Sequence, residues 1–153
     1  MRRMLLAAVT TCLLTGCTSL LGNSADACSD PANRPAEVVT QPDLTEVSQS
    51  ASNVDLQATS SLDERVRLTV RFDDAVALDV YLPGKPRRCT SWPVYQYTYR
   101  LPTGQAIVTA TTDRGQREAT TLTVAGHKRW VVVQIQDGFP LELDTWNSQP
   151  LWG

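Results

Sequence analysis

Beyond Leu62, apolar and polar residues alternate along most of the chain. The stretch ERVRLTVRF (64–72) is typical, because every second residue is Val, Leu or Phe and the residues between them are Arg or Thr. Successive side chains of a strand point to opposite faces of a sheet, so a period of two predicts a half-buried strand. This pattern constrains the fold more than any other feature of the sequence.

Turn-forming residues interrupt the alternation at short, regular intervals. Short strands separated by turns every 8–12 residues are typical of an all-β antiparallel sandwich. We therefore predict a β-sandwich of about seven strands over residues 63–153, with no helix. The predicted strands cover residues 64–72, 75–82, 93–101, 106–112, 118–125, 129–136 and 141–147.

Residues 17–62 have a different composition, rich in Ser, Thr, Asn, Asp, Ala and Pro and lacking aromatic residues. Segments of this kind bury too little apolar surface to fold alone, so we predict a flexible tether. Two short apolar pieces, at 36–39 and 54–56, are expected to add at most an edge strand or a helical turn.

The first residues, MRRMLLAAVTTCLLTGC, combine two arginines with an uncharged apolar run of about eleven residues, too short to cross a bilayer as a helix. They predict a signal peptide over residues 1–16. The last four residues of this stretch, Leu14-Thr15-Gly16-Cys17, resemble the lipobox of bacterial lipoproteins at all four positions. The alternative is a soluble secreted protein in which the cysteine is incidental.

The resemblance to lipoproteins implies cleavage before Cys17 and attachment of diacylglycerol to its thiol, with palmitate-type chains as the anchor. Two or more acyl chains hold a protein stably at a bilayer, whereas one chain does so only marginally. The expected location is the extracytoplasmic side of a cell membrane or outer envelope. The membrane is then one partner of the protein, through its lipid.

Two cysteines, Cys28 and Cys89, remain in the mature chain outside the lipidation site. An exported protein meets an oxidising environment, so this pair predicts a disulfide. A zinc site is the competing interpretation, and the ligands are too few for it, since His127 is the only histidine.

The net charge and the short sequence motifs argue against several classes of function. Without Arg2 and Arg3, twelve basic residues face sixteen acidic ones, a formal charge of −4 that argues against nucleic acid. His127 lies in a Gly-His-Lys turn with no nucleophile motif near it. The pair Asp73-Asp74 is typical of a turn, and Glu142 and Asp144 lie on the polar face of a strand. We predict no catalytic residue, no metal and no cofactor.

Three pieces of the second half, LPTGQAIVTATTDRG, TVAGHKRWVVV and the terminal QPLWG, resemble small immunoglobulin-like or transthyretin-like β domains of secreted bacterial proteins. The resemblance covers about residues 64–153. It implies a fold and an extracytoplasmic setting, because such domains are mostly uncharacterised.

Aromatic residues give the best candidates for a binding site. Tyr95, Tyr97 and Tyr99 share one strand face, which we expect to pack in the core. Trp130 and Trp146 alternate away from the apolar positions of their strands, so we expect them side by side on one sheet face and partly in water. With Gln134 they form the predicted partner-binding site, since flat rings bury much area at low entropic cost.

The strands that end near residues 82 and 136 are expected to turn at the same end of the sandwich, together with Arg87, Arg88 and Trp92. The function predicted from the sequence is a non-enzymatic, lipid-anchored module that binds an envelope protein or glycan. The alternatives are an envelope enzyme or a subunit of one, and an exclusion or immunity lipoprotein of a mobile element.

Overall fold

A computed structural model describes residues 36–84 and 93–150 of the chain. These residues form an all-β sandwich of two sheets, which confirms the predicted fold class. No helix occurs in the two described ranges, so none there is long and apolar enough to span a membrane. The nine strands of the described residues are β1 Glu37–Val38, β2 Val54–Ser60, β3 Val66–Phe72, β4 Ala75–Leu82, β5 Val94–Tyr99, β6 Gly104–Thr112, β7 Arg117–Val124, β8 Arg129–Ile135 and β9 Glu142–Trp146.

The five-stranded sheet has the order β1-β4-β3-β6-β7, and the four-stranded sheet has the order β5-β2-β8-β9. Every pair is antiparallel except β2 with β8, which run parallel. The four-stranded sheet is therefore mixed, where the sequence predicted antiparallel pairing throughout. A parallel pair needs a long crossover connection, and here the chain between β2 and β8 includes four strands of the other sheet and β5.

In β3, the residues that the alternation predicts for the core are buried in the structure. They are Val66, Leu68, Val70 and Phe72. Strand β4 departs from the pattern near its start, since the register shifts between Val70 and Arg71. Such an irregularity inserts a residue into one strand and changes which side chains face inward. Val76, which we expected on the inner face, pairs with Arg71 and is only half-buried.

Strand β2 lies inside the segment predicted to be a tether, yet all seven of its residues are buried. Val54, Leu56 and Ala58 point into the core, while β5 and β8 flank the strand on both sides. The sandwich therefore begins well before the predicted boundary at residue 63. The prediction missed this strand because its alternation is short and the segments on both sides of it are rich in Ser and Thr.

The tyrosines of β5 pack as expected. Tyr95 and Tyr99 are buried, and Tyr97 packs against the core from a partly buried position. The Tyr99 hydroxyl donates a hydrogen bond to the carbonyl of Ala77 at 2.7 Å, and its ring meets Phe72 edge-on with centroids 5.9 Å apart. This contact joins the two sheets at the end of the sandwich where β3 turns into β4.

Candidate functional site

The outer face of the four-stranded sheet carries the two predicted tryptophans. Trp130 of β8 lies directly opposite Trp146 of β9 in the register, and Asp55 of β2 lies on the other side of Trp130. Residues opposite each other in a sheet share a face, so both indoles point away from the core. We name this pair of side chains the Trp pair.

The backbone hydrogen bonds of β8 determine the distance between the Cα atoms of the Trp pair. Arg129 donates its N–H to Asn53, and Ile135 accepts from Ser61, so the odd-numbered residues of β8 bond toward β2. The even-numbered residues, Trp130 included, therefore bond toward β9. Opposite residues of a hydrogen-bonded antiparallel pair have Cα atoms about 5.5 Å apart. The Cα atoms of Trp130 and Trp146 are therefore about this distance apart, and the backbone hydrogen bonds between β8 and β9 hold them there.

The two rings differ in exposure. Trp146 keeps 46% of its surface in water, whereas Trp130 is half-buried. On the opposite face of β8, Val131 and Val133 point into the core, where they are fully buried and hold the strand in place. The Trp pair is thus an exposed aromatic surface on a well-packed support, at the edge of the sheet.

Polar residues lie on the same face, next to the Trp pair along the strands. Asp144 lies two residues from Trp146, and Glu142 lies opposite Gln134 one step further. Both carboxylates are exposed, and Gln134 is half-buried. The Gln134 side-chain carbonyl accepts a hydrogen bond from Gln136 at 3.2 Å, which orients its amide NH₂ for another acceptor. The arrangement therefore combines flat apolar rings with donors and acceptors.

A buried polar row lies beside the site, and the sequence did not predict it. Asp55, Gln57 and Thr59 point to the outer face from β2 but are at most 3% exposed. The Asp55 carboxylate accepts from Lys128 Nζ at 3.1 Å and from Gln96 Nε2 at 3.0 Å. These bonds join the turn before Trp130 to the middle of the sheet. The alternation in VDLQATS was the signal that could have revealed this row.

Several predicted residues lie outside the described ranges. Cys17, Cys28 and Cys89 are among them, so lipidation and the disulfide stay predictions from sequence. Arg87, Arg88 and Trp92 lie outside them as well. The ends of β4 and β8 lie at the same end of the sandwich, as expected: Ser61 bonds to Ile135 at the end of β8, and Leu82 pairs with Val66, close to Ser61 in the chain.

Candidate catalytic side chains do not converge in the described residues. His127 is exposed in the turn between β7 and β8. Asp73 has a φ of 52° in the β3–β4 turn, and its carboxylate accepts the N–H of Ile107 at 2.8 Å. Within the parts of the chain that the structure describes, no three His, Cys, Asp or Glu side chains are grouped to hold a metal ion.

The shifted pKa values belong to structural groups away from the Trp pair. Asp79, on the outer face of the other sheet, accepts two hydrogen bonds of 2.8 Å from the Arg67 guanidinium, and a further bond from Thr69 at 3.2 Å. These bonds lower the pKa of Asp79 to about 2. Burial raises the pKa of Tyr97 and Tyr99 above the ordinary value of 10.0.

Comparison with known proteins adds no identity to this geometry. No protein-family model matches the chain, and no characterised protein matches it significantly either. The resemblance to lipoproteins and to immunoglobulin-like or transthyretin-like domains therefore stays a prediction from the sequence.

Proposed function

We propose that the protein is a lipid-anchored, extracytoplasmic binding module without catalytic activity, and that the Trp pair is its binding site. The observation that carries this proposal is the direct pairing of Trp130 with Trp146 on an outer sheet face, with Trp146 almost half exposed. Contiguous apolar surface marks interaction sites more than a single exposed side chain does, and the second ring makes this surface contiguous. Large exposed aromatic residues of this kind are enriched at binding sites.

A glycan of the cell envelope fits the site best. Each indole offers a flat apolar face to the C–H groups of a sugar ring, while Asp144, Glu142 and Gln134 offer hydrogen bonds to its hydroxyl groups. Residues two apart on a strand are about 7 Å apart, so rings and polar groups reach one sugar and its neighbour. The face is open at the β9 edge, which suits a chain-like ligand.

The lipid anchor places this site near the envelope surface. Cys17 carries the acyl chains in the proposal, and residues 18–36 connect it to β1. A disulfide between Cys28 and Cys89 would hold the middle of that connection to the loop between β4 and β5. The net negative charge supports an anchor made of acyl chains alone, because the sequence that follows Cys17 has no cluster of Lys and Arg for anionic lipids.

The binding proposal is tested with purified envelope polysaccharide and the whole chain, by co-sedimentation and by quenching of tryptophan fluorescence. Trp146→Ala should weaken binding at least about tenfold, since an aromatic anchor at a binding site commonly contributes 2 kcal/mol or more. The matched control is Phe139→Ala, because Phe139 is an exposed aromatic residue on a loop at the other end of β9. Equal binding by the Trp146 variant and the wild type would overturn the proposed site.

The ligand class is tested separately by a pull-down from envelope extract. Capture of polysaccharide by the wild type and its loss with Trp146→Ala supports a glycan ligand. Capture of one protein, lost with the same substitution, would keep the site but replace the ligand by an envelope protein.

The anchor is tested by Cys17→Ala in cells labelled with a radioactive fatty acid. The wild type should carry the label and fractionate with membranes, and the variant should be unlabelled and either unprocessed or released. A cleaved, membrane-bound Cys17→Ala protein would contradict the lipobox prediction.

The disulfide has its own measurement. Mass spectrometry of the non-reduced mature protein should find a peptide that links Cys28 to Cys89. Alkylation of both thiols under native conditions would exclude the bridge.

A further inference from the structure

The last strand of the five-stranded sheet, β7, has one side without a partner in the described residues. Asp73 donates its N–H to Ile107, and Asp113 donates to Arg67, so the odd-numbered residues of β6 bond toward β3. The even-numbered residues of β6 therefore bond to β7, and the register pairs them with Glu118, Thr120, Leu122 and Val124. The backbone groups of the remaining β7 residues point away from the sheet. We name these outward-pointing residues the β7 edge: Arg117, Ala119, Thr121 and Thr123.

The β7 edge lacks the features that usually prevent strand pairing. It has no proline, no lysine and no bulge in its pairing with β6, and all four of its residues are exposed. Its charges are confined to Arg117 and Glu118 at one end, followed by six uncharged residues. Natural edge strands are usually short, charged or covered, because a row of free N–H and C=O groups is a template for another strand.

We propose that the β7 edge is a homodimer interface, in which β7 of a second copy pairs with it in antiparallel orientation around Thr121. In this register the two Thr121 residues are opposite each other, and Ala119 lies opposite Thr123 of the second copy. Outward-pointing backbone groups therefore meet outward-pointing groups. Thr120 falls opposite Leu122 of the second copy, so each core-facing side chain stays on the core face.

The charged residues of β7 favour antiparallel over parallel pairing of the two identical strands. Antiparallel pairing around Thr121 puts Arg117 opposite Ala125 and Glu118 opposite Val124, so no like charges meet. Parallel pairing would bring each of these charges close to its own copy, which is destabilising. The β7 edge is thus complementary to itself, as a two-fold symmetric interface requires.

The other open strand, β9, fits a second copy less well than β7 does. The even-numbered residues of β8 bond to Glu142, Asp144 and Trp146, which leaves only Leu143 and Thr145 with outward backbone groups. Antiparallel self-pairing centred on Asp144 places the two Asp144 side chains opposite each other, and centring on Leu143 places Glu142 opposite Asp144. Centring on Thr145 avoids opposed carboxylates, but it places Leu143 opposite Asn147, beyond the end of β9, so the strand pair would be shorter than that of β7.

A single strand pair buries less area than the roughly 1,200–2,000 Å² of stable interfaces, so the dimer should be weak and depend on concentration. The first experiment uses Thr121→Cys in the whole chain, oxidised in the membranes of producing cells. Opposite Cα atoms about 5.5 Å apart lie within disulfide range, so a cross-linked dimer is expected. The matched control is Thr145→Cys, another exposed threonine on an edge strand, which should form no cross-link at its own position.

The second experiment separates dimer formation from folding. Thr121→Pro removes only an outward N–H, a change that an edge strand tolerates. It should raise the dissociation constant measured by sedimentation at least about tenfold while leaving the circular dichroism spectrum unchanged, and Thr145→Pro should leave the dimer intact.

Three outcomes would overturn the proposal. The first is a wild-type chain that stays monomeric at the highest concentration studied. The second is a dimer that persists in Thr121→Pro. The third is cross-linking of Thr121→Cys to a different protein, which would make the β7 edge a site for another protein's strand. The β7 edge is tested by dimer formation and the Trp pair by ligand binding, so each proposal can fail without the other, although β9, which carries Trp146, lies close to β7.

Discussion

The two long sides of the sandwich differ in how their strand edges are finished. On one side, residues 37–47 cover β4 and β5: β1 pairs with β4, Asp43 and Leu44 bond to Val76, and Val47 bonds to Thr98. On the opposite side, β7 and β9 have no such cover among the described residues. We refer to these as the covered side and the open side.

The difference teaches that edge protection need not come from the strands themselves. The covering segment 37–47 has no sustained hydrophobic period, yet its backbone supplies the hydrogen bonds that β4 and β5 would otherwise lack. The open side carries both the Trp pair and the β7 edge. Stabilising contacts and exposed interaction surfaces are therefore separated across the width of the molecule.

The largest expected effect compares two aromatic residues on the edge strands of one sheet. Tyr99 of β5 is 1% exposed on the covered side, whereas Trp146 of β9 is 46% exposed on the open side. Tyr99→Ala should lower the free energy of unfolding by about 3–5 kcal/mol, because it leaves a cavity and an unpaired carbonyl. Trp146→Ala should lower it by less than about 1 kcal/mol. Urea unfolding measures both, and equal losses would erase the distinction between the sides.

The second prediction concerns pH and the buried carboxylate of the covered side. The pKa of Asp79 is lowered from 3.8 to about 2 by Arg67, so the native state keeps this group ionised where the unfolded chain binds a proton. The resulting stability is present above pH 4 and lost as the pH falls to 2, about 2 kcal/mol in all. Unfolding free energies of the wild type and Asp79→Asn should differ above pH 4 and converge near pH 2. A constant difference would mean that Asp79 acts through shape alone.

The third prediction compares a proline substitution on the covered side with one on the open side. Val76 donates its N–H to the Asp43 carboxylate at 2.7 Å, whereas the N–H of Thr121 points away from the neighbouring strand β6. Val76→Pro should therefore cost about 1.5 kcal/mol, and Thr121→Pro less than about 0.5 kcal/mol. Thermal unfolding at low protein concentration, where dimers are absent, gives the comparison. A larger loss for Thr121→Pro would show that the open edge has a partner within the chain.

The smallest expected effect is at the surface of the covered side. The Arg65 guanidinium lies 4.4 Å from the centroid of the Tyr81 ring and 3.5 Å from the Glu37 carboxylate, with 65% of the Arg65 side chain in water. Exposed pairs of this kind contribute little, so Arg65→Ala should change the unfolding free energy by less than about 0.5 kcal/mol. A loss above 1 kcal/mol would indicate that β1 is held mainly by this side chain.

Local patterns explain which parts of the fold could be predicted. The alternation in β3 and β8 fixes which side chains face the core, and short turns make consecutive strands neighbours, so the pairing of Trp130 with Trp146 followed from sequence. Strand β2 was missed because its partner β8 lies far along the chain and no local pattern encodes that contact. The Asp55–Lys128 ion pair is hidden for the same reason. The β7 edge depends on which strands have a second neighbour, which only the sheet order shows.

The parallel pairing of β2 with β8 has a consequence for the order in which the chain can fold. Of the two central strands of the four-stranded sheet, β2 is the second of the nine described strands along the chain, and its neighbour β8 is the eighth. Closing such a distant contact is entropically costly and slows folding. The complete sheet can therefore assemble only when β8 is available, although β5 can pair with β2 earlier.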